Sequence, residues 1–290
     1  MVFAGSSAMG VTIDNGIAGD GRWQVNALAG GETFDGRIDP TGATGITNVV
    51  WNYGHYVDVG ADGAGVNLGL TTIVTPAALT GPGEVTSTGY FLGGNATINW
   101  SADSTIAPGS PIYQTTLTFD SAQPFGTVRV IQYLDEDVFS SSNNLIVVGT
   151  PGAADFQLLT VDDFENVGVA QAAGYLTATG ATYIGWHGAT WPSLIIDIVG
   201  GGTTYSIPGI VTLNPIVDLR YPGLPAYGTQ DIGTAIAFDL NPNATQAVLQ
   251  FALGGSPSGA PVPDPTVPEP GSVAILTGIA AAALLRRRRN

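Results

Sequence analysis

Short runs in which apolar residues recur at every second position, broken by glycine- and proline-rich turns, constrain this chain more than any other feature. Tyr113, Thr115, Leu117 and Phe119 fall on one face of an extended segment, with Ile112, Gln114, Thr116 and Thr118 on the other. Ile236, Phe238 and Leu240 form a second such stripe, and Ala247, Leu249, Phe251 and Leu253 a third. A period of two is the signature of a half-buried strand, and antiparallel sheets with one solvated face produce it. Further strands are predicted at Arg22–Leu28, Val66–Val74, Ala96–Trp100, Thr127–Leu134, Leu145–Val148, Phe156–Val161, Thr182–Gly185, Thr203–Ile207 and Ile210–Leu213. Gly-Gly, Pro-Gly and Asp-Gly turns separate them. The expected fold class is all-β: a large antiparallel β-sandwich with at most short helices. One short helix is predicted where Trp191-Pro192-Ser193 precedes LIIDIV, with proline near its first turn. The same isoleucine-rich run also reads as a buried strand.

Composition removes several kinds of chemistry. The chain has 290 residues with 23 acidic and 8 basic, and every basic residue is arginine. Without lysine there is no Schiff base and no P-loop lysine. Without cysteine there is no disulfide, thiol nucleophile or thiolate metal site. Four of the arginines are Arg286 to Arg289, so the remainder sets four arginines against 23 carboxylates. Nucleic-acid binding, which needs clustered positive charge on the folded surface, is not expected.

The chain divides into four parts. Residues 1–10 lack the basic and apolar regions of a signal peptide and are expected to be the remnant of one, with the true start upstream. Residues 11–253 form the β-body, 254–267 a Pro/Gly/Ser linker, and 268–290 a terminal segment. That segment holds Pro268-Glu269-Pro270, the apolar run Val273–Leu285 and the four arginines. As a helix the run reaches about 20 Å, short of the ~30 Å hydrocarbon core, but flanking arginines can snorkel to a membrane surface.

Val267-Pro268-Glu269-Pro270, the short apolar helix and the arginine cluster resemble the bacterial PEP-CTERM sorting signal. The resemblance implies export, a transient stay in the inner membrane through residues 273–285, and processing near Pro-Glu-Pro by an exosortase-type transpeptidase. It then implies a place at the cell surface or outside the cell, in a bacterium that makes extracellular polysaccharide. The sorting residues are Pro268, Glu269, Pro270, Arg286, Arg287, Arg288 and Arg289. The body, with Tyr133-Leu134-Asp135-Glu136-Asp137-Val138, Gly149-Thr150, the 156–163 run and the 231–240 run, is similar to an uncharacterised group of secreted bacterial β-rich proteins. That similarity supplies no catalytic residue.

Two constellations could carry binding chemistry. Asp135, Asp137, Asn143 and Asn144 offer oxygen ligands suited to calcium, without the spacing of an EF-hand; solvated acidic loops explain the same residues. Trp186 and Trp191 bracket a Gly-rich turn, and Tyr221 and Tyr227 lie in RYPGLPAYG. Exposed rings there could stack on extracellular polysaccharide, and packing of tryptophan in the core or at the sheet edges is the competing reading. His55 and His187 lack local carboxylate partners, and no serine-hydrolase, zinc-protease or dinucleotide motif is present. No catalytic residue or cofactor other than calcium is expected. The leading expectation is a non-enzymatic structural or glycan-binding protein of the surface or matrix. The alternative is a polysaccharide-active hydrolase or lyase whose carboxylate pair no motif reveals.

Overall fold

The computed structural model describes residues 10–18, 22–39, 47–60, 64–110, 112–136, 144–148, 157–161, 170–202, 205, 210–217 and 225–255. The sorting residues 268–270 and 286–289, the apolar run and the 203–207 strand (apart from Tyr205) lie outside them. No helix among the described residues is long and apolar enough to cross a membrane.

Strands dominate, in two sheets. The first runs β1 (Val11–Asp14), β2 (Arg22–Ala27), β3 (Thr33–Asp39), β4 (Thr47–Val59), β10 (Val128–Glu136), β18 (Ile232–Leu240), β14 (Ala181–Thr190) and β15 (Ile210–Val211). A short β5 (Gly65–Asn67) also pairs with β4. The second runs β16 (Pro215–Ile216), β17 (Ala226–Gln230), β11 (Asn144–Val148), β12 (Gln157–Val161), β13 (Ala170–Thr179), β19 (Gln246–Gly255), β9 (Ile112–Asp120), β8 (Ala96–Ile106), β7 (Glu84–Gly93) and β6 (Thr72–Gly81). Pairing is antiparallel except between β14 and β15.

The stripes expected from the sequence face the core. Tyr113, Leu117 and Phe119 of β9, Leu249 and Phe251 of β19, and Ile236 and Phe238 of β18 share one apolar cluster with Trp23, Val25 and Val57 of the first sheet. Residues of both sheets fill it, so the sheets bury their inner faces against each other. The expected half-buried pattern fails at β18, which is buried on both faces. Its alternate residues Ala235 and Ala237 join Tyr56, Ile131, Tyr133, Leu194 and Ile198 in a second cluster.

Leu194 and Ile198 belong to α1 (Ser193–Gly200), the short helix predicted after Pro192. Their spacing of four places both on the face toward the sheet. Gly201, left-handed at φ 80°, ends the helix, and the Gly202 amide donates to the Asp197 carbonyl.

The strand expected over Val66–Val74 is broken in two. After β5 the chain makes a 3-10 turn, Leu68–Leu70, before β6 begins. The Leu70 amide donates to the Asn67 side chain at 3.1 Å, and the Thr71 hydroxyl donates to the Leu68 carbonyl at 2.6 Å. These local bonds outcompete the extended backbone. A second 3-10 turn, Ala29–Gly31, joins β2 to β3 and reaches across the core: the Gly30 amide donates to Ser87 Oγ on β7 at 3.0 Å, and Tyr113 Oη donates to the Gly31 carbonyl at 3.1 Å.

Candidate functional site

The two sheets meet at one open end. The first sheet's edge strand, β1, lies there against the β6–β7 hairpin and the β8–β9 turn of the second sheet. The Gly109 amide donates to the Asn15 carbonyl at 2.8 Å and the Ile106 amide to the Gly83 carbonyl at 2.8 Å. Asn15 is buried beyond β1, its side-chain oxygen accepting from the Trp23 amide at 3.1 Å, which holds the end of β1 in place. Gly83 has a φ of +70°, and a Cβ there would lie 2.5 Å from the Ile106 carbonyl oxygen, so only glycine makes this close turn.

Between these pieces is a surface hollow of about 550 Å³, lined by Ile13, Leu79, Pro82 and Ile106 on its apolar side and by Asp14 and Asn15 on its polar side. The Asp14 carboxylate accepts from the Gly16 amide at 2.9 Å and faces the Arg22 guanidinium at 3.7 Å. Glu84 opens β7 directly after Gly83 and is exposed. A Cβ built on Gly81, part of the lining, would lie 2.7 Å from the Glu84 carboxylate, and one on Gly83 would lie 3.6 Å from the Asp14 carbonyl oxygen. Asp14 thus brings one carboxylate to the lining of a hollow with apolar walls, and the Glu84 carboxylate stands beside Gly81 at its rim. Such a place suits a hydroxylated ligand, whose polar edges meet the carboxylates and whose C–H faces meet the apolar side.

A different set of ionisable groups is sealed inside. Glu32 is buried; the Gly69 amide donates to its carboxylate at 3.2 Å, and Asn67 bonds to it as well. Burial outweighs these bonds and pushes its pKa from 4.5 up to about 8, so it is mostly neutral at pH 7. His55 Nδ1 donates to the Gly30 carbonyl at 2.9 Å, and the Tyr53 hydroxyl, which accepts from Gln132 Nε2 at 3.1 Å, donates to His55 Nε2 at 3.3 Å. Burial lowers the pKa of His55 to about 4, against the Gly30 bond that raises it. This network is out of reach of any polymer and ties the two 3-10 turns to β4 and β10 of the first sheet.

The residues singled out from the sequence scatter. Asp135 is buried on β10, opposite Gly233 and Asn52, and Asn144 is buried at the start of β11 in the other sheet, opposite Gln230. Both are strand residues, not members of an exposed calcium loop; Asp137 and Asn143 lie outside the described residues. No group of three His, Asp or Glu side chains among the described residues could hold a metal ion. Trp186 is buried in the core on β14, which corrects its reading as a ring on an exposed loop. Trp191 is 40% exposed, Tyr227 is half-buried on β17, and Tyr221 lies outside the described residues. The hollow itself went unnoticed in the sequence, because Asp14 and Glu84 are far apart along the chain and only the tight Gly-Pro-Gly turn marks one of its walls.

No family model matches the chain, and no curated protein matches its sequence. Solved structures do match its fold. A bacterial glucoamylase complexed with acarbose aligns with a TM-score of 0.51 and 11% identity over 87% of this chain and 34% of that one. A 4-alpha-glucanotransferase from Thermococcus litoralis aligns at 0.40 and 9% over 88% and 38%, and a Pichia pastoris lysyl oxidase at 0.42 and 9% over 80% and 50%. This chain spans about a third of the glucoamylase's length. The likeness to the glucoamylase is one of fold. That fold, carried by an enzyme, corrects the expectation of a non-enzymatic structural or glycan-binding protein.

Proposed function

We propose that the β-body belongs to a polysaccharide-active hydrolase, exported and sorted through the Pro268-Glu269-Pro270 tail. The observation that carries this reading is the fold shared with a bacterial glucoamylase solved in complex with acarbose. The hollow between the sheets supplies the place, and Asp14 and Glu84 supply the acid and base that glycosidic hydrolysis requires. In this reading one carboxyl group protonates the leaving oxygen while the other serves as the base or nucleophile. The charge balance favours hydrolysis over elimination. Lyases of polysaccharides act on uronate units, and a body with four arginines against 21 carboxylates repels a polyanion. A neutral glycan is the better partner.

The test is incubation of the purified full-length protein with linear and branched neutral glucans, scoring new reducing ends, and with polyuronates, scoring unsaturated products. Reducing ends from a neutral glucan are expected, falling by about 100-fold or more in Asp14→Asn and Glu84→Gln, the usual loss when an acid or base is removed. Cleavage that survives both substitutions, or no cleavage of any substrate, would overturn the reading. Sorting is tested separately by fractionating cells with and without exosortase; a protein found in the same fraction in both would remove the tail's role.

A further inference from the structure

On the outer face of the first sheet, β3 and β4 break their alternation together. Thr33 and Gly36 are both buried although they are three residues apart, and so are Val50 and Tyr53, with Thr33 opposite Tyr53 and Gly36 opposite Val50. A regular strand would put residues three apart on opposite faces. The two residues between each buried pair are therefore both turned outward: Phe34 and Asp35 on β3, Trp51 and Asn52 on β4. Exposure agrees, with Phe34 at 51% and Trp51 at 54% and the other two half-buried. On the other side of β4 the register against β10 jumps from Asp135↔Asn52 to Glu136↔Val50, leaving Trp51 as the bulged residue without an opposite number. Bulges re-aim side chains in this way, and they are frequent beside functional sites.

The result is a compact outward patch of two aromatic rings, one amide and one carboxylate. Asp35 is fixed within it. Arg37 Nε donates to Asp35 Oδ1 at 2.7 Å, and a terminal guanidinium nitrogen lies 2.7 Å from Oδ2, a two-pronged grip that holds the carboxylate in one orientation. By contrast Trp23, Trp100 and Trp186 are all buried in the core. Nothing about β4 as an interior strand requires Trp51 to be exposed; the paired irregularity puts it there.

We infer that Phe34, Asp35, Trp51 and Asn52 form a saccharide-binding platform separate from the hollow, taking neutral pyranose units of a polysaccharide chain. Sugar rings present a C–H face that an indole or phenyl ring covers, and a rim of hydroxyls. The Asp35 carboxylate accepts from such hydroxyls, the Asn52 amide both donates and accepts, and the remaining Arg37 N–H groups donate. The excess of carboxylates over arginines selects a neutral polymer over an acidic one. This inference deepens the polysaccharide reading and rests on it for the class of ligand.

The experiment uses the full-length protein with two probes, maltoheptaose and cellohexaose, and follows tryptophan fluorescence, its quenching by acrylamide, and calorimetric affinity. One of the two is expected to shield a tryptophan from the quencher. Trp51→Ala should abolish that shielding and weaken binding by about tenfold or more, the loss usual when an anchoring aromatic is truncated, while Trp51→Phe keeps most of the affinity. Phe34→Ala and Asp35→Asn should each weaken binding, and circular dichroism checks that the variants fold. No shielding by either probe, or equal affinity in Trp51→Ala and the wild type, overturns the platform. In Asp14→Asn and Glu84→Gln the shielding of the tryptophan from the quencher should persist, whatever those substitutions do to hydrolysis and to binding in the hollow. Loss of binding in those two, with Trp51→Ala unaffected, would place the sugar in the hollow instead, leaving the proposed hydrolase intact without the platform.

Discussion

The Gly69 amide donates to the buried carboxylate of Glu32 at 3.2 Å, joining the two 3-10 turns that flank β3 and β4. His55, on β4, holds the first of those turns through the Gly30 carbonyl. One group has its pKa raised by burial and the other has it lowered, so their effects on stability run in opposite directions.

For Glu32 the folded pKa of about 8 lies above the unfolded value of 4.5. Its contribution is complete below pH 4.5 and is lost as pH rises toward 8. For His55 the folded pKa of about 4 lies below 6.5, so its contribution is complete above pH 6.5 and is lost as pH falls toward 4. Between 4.5 and 6.5 the two slopes oppose each other. From 6.5 to 8 only Glu32 acts, and its slope is of the order of 1 kcal/mol per pH unit at most. Urea melts across this range should show stability falling from pH 6.5 to 8 in the wild type and a shallower fall in Glu32→Gln. An unchanged slope in that variant would exclude Glu32 as its source.

Gly31 has a φ of +74°, and a Cβ there would lie 2.3 Å from Thr115 Cγ2. Gly31→Ala combines a left-handed backbone with a steric clash in the bridge between sheets. The expected loss is about 2–3 kcal/mol, measured by chemical denaturation. The same substitution at exposed Gly200, where a Cβ would meet nothing within 4 Å, is expected to change stability by less than about 0.5 kcal/mol.

The two sides of α1 differ in the same measurable way. Leu194 is fully buried against β18, whereas Ile196 is 63% exposed. Leu194→Ala should cost about 2–4 kcal/mol and Ile196→Ala less than about 0.5 kcal/mol. Thermal melts that ranked them equally would contradict the packing of α1 on the sheet.

Arg129 and Asp239 stand directly opposite each other on β10 and β18, joined by two hydrogen bonds of 2.8 and 3.2 Å. Both side chains are largely but not fully covered. Asp239→Asn is expected to cost about 1 kcal/mol, less at high salt, because such a pair still feels the solvent. Salt titration of both proteins checks this; identical melting curves throughout would show that the pair adds nothing.

Where a strand buries only apolar side chains on its inner face, its period was visible in the sequence, as in β9 and β19. On β7 the buried positions are Val85, Ser87, Gly89, Phe91 and Gly93, and the stripe disappears. Ser87 serves the Gly30 amide, and Gly89 makes room for the Trp100 ring, which a Cβ there would meet at 2.4 Å. On β4 the buried His55 and Gly54 and the outward Trp51 erase the alternation for similar tertiary reasons. Trp51 and Trp186 could not be ranked for exposure from local sequence, since a bulge turns one outward and the opposing sheet covers the other. The hollow was equally hidden, its walls coming from residues that only the meeting of two sheets makes neighbours.

β18 has a consequence for how the protein comes to be. It lies between β10 and β14, yet it is among the last strands of the chain, and β10 in turn pairs with the much earlier β4. The centre of the first sheet therefore cannot close until nearly the whole body has been synthesised, and its contacts span long stretches of sequence. Such high contact order makes folding slow. Until β18 arrives, β10 offers an open edge to other chains, which is the form most exposed to aggregation. A chain cut before Ile232 would keep that edge permanently.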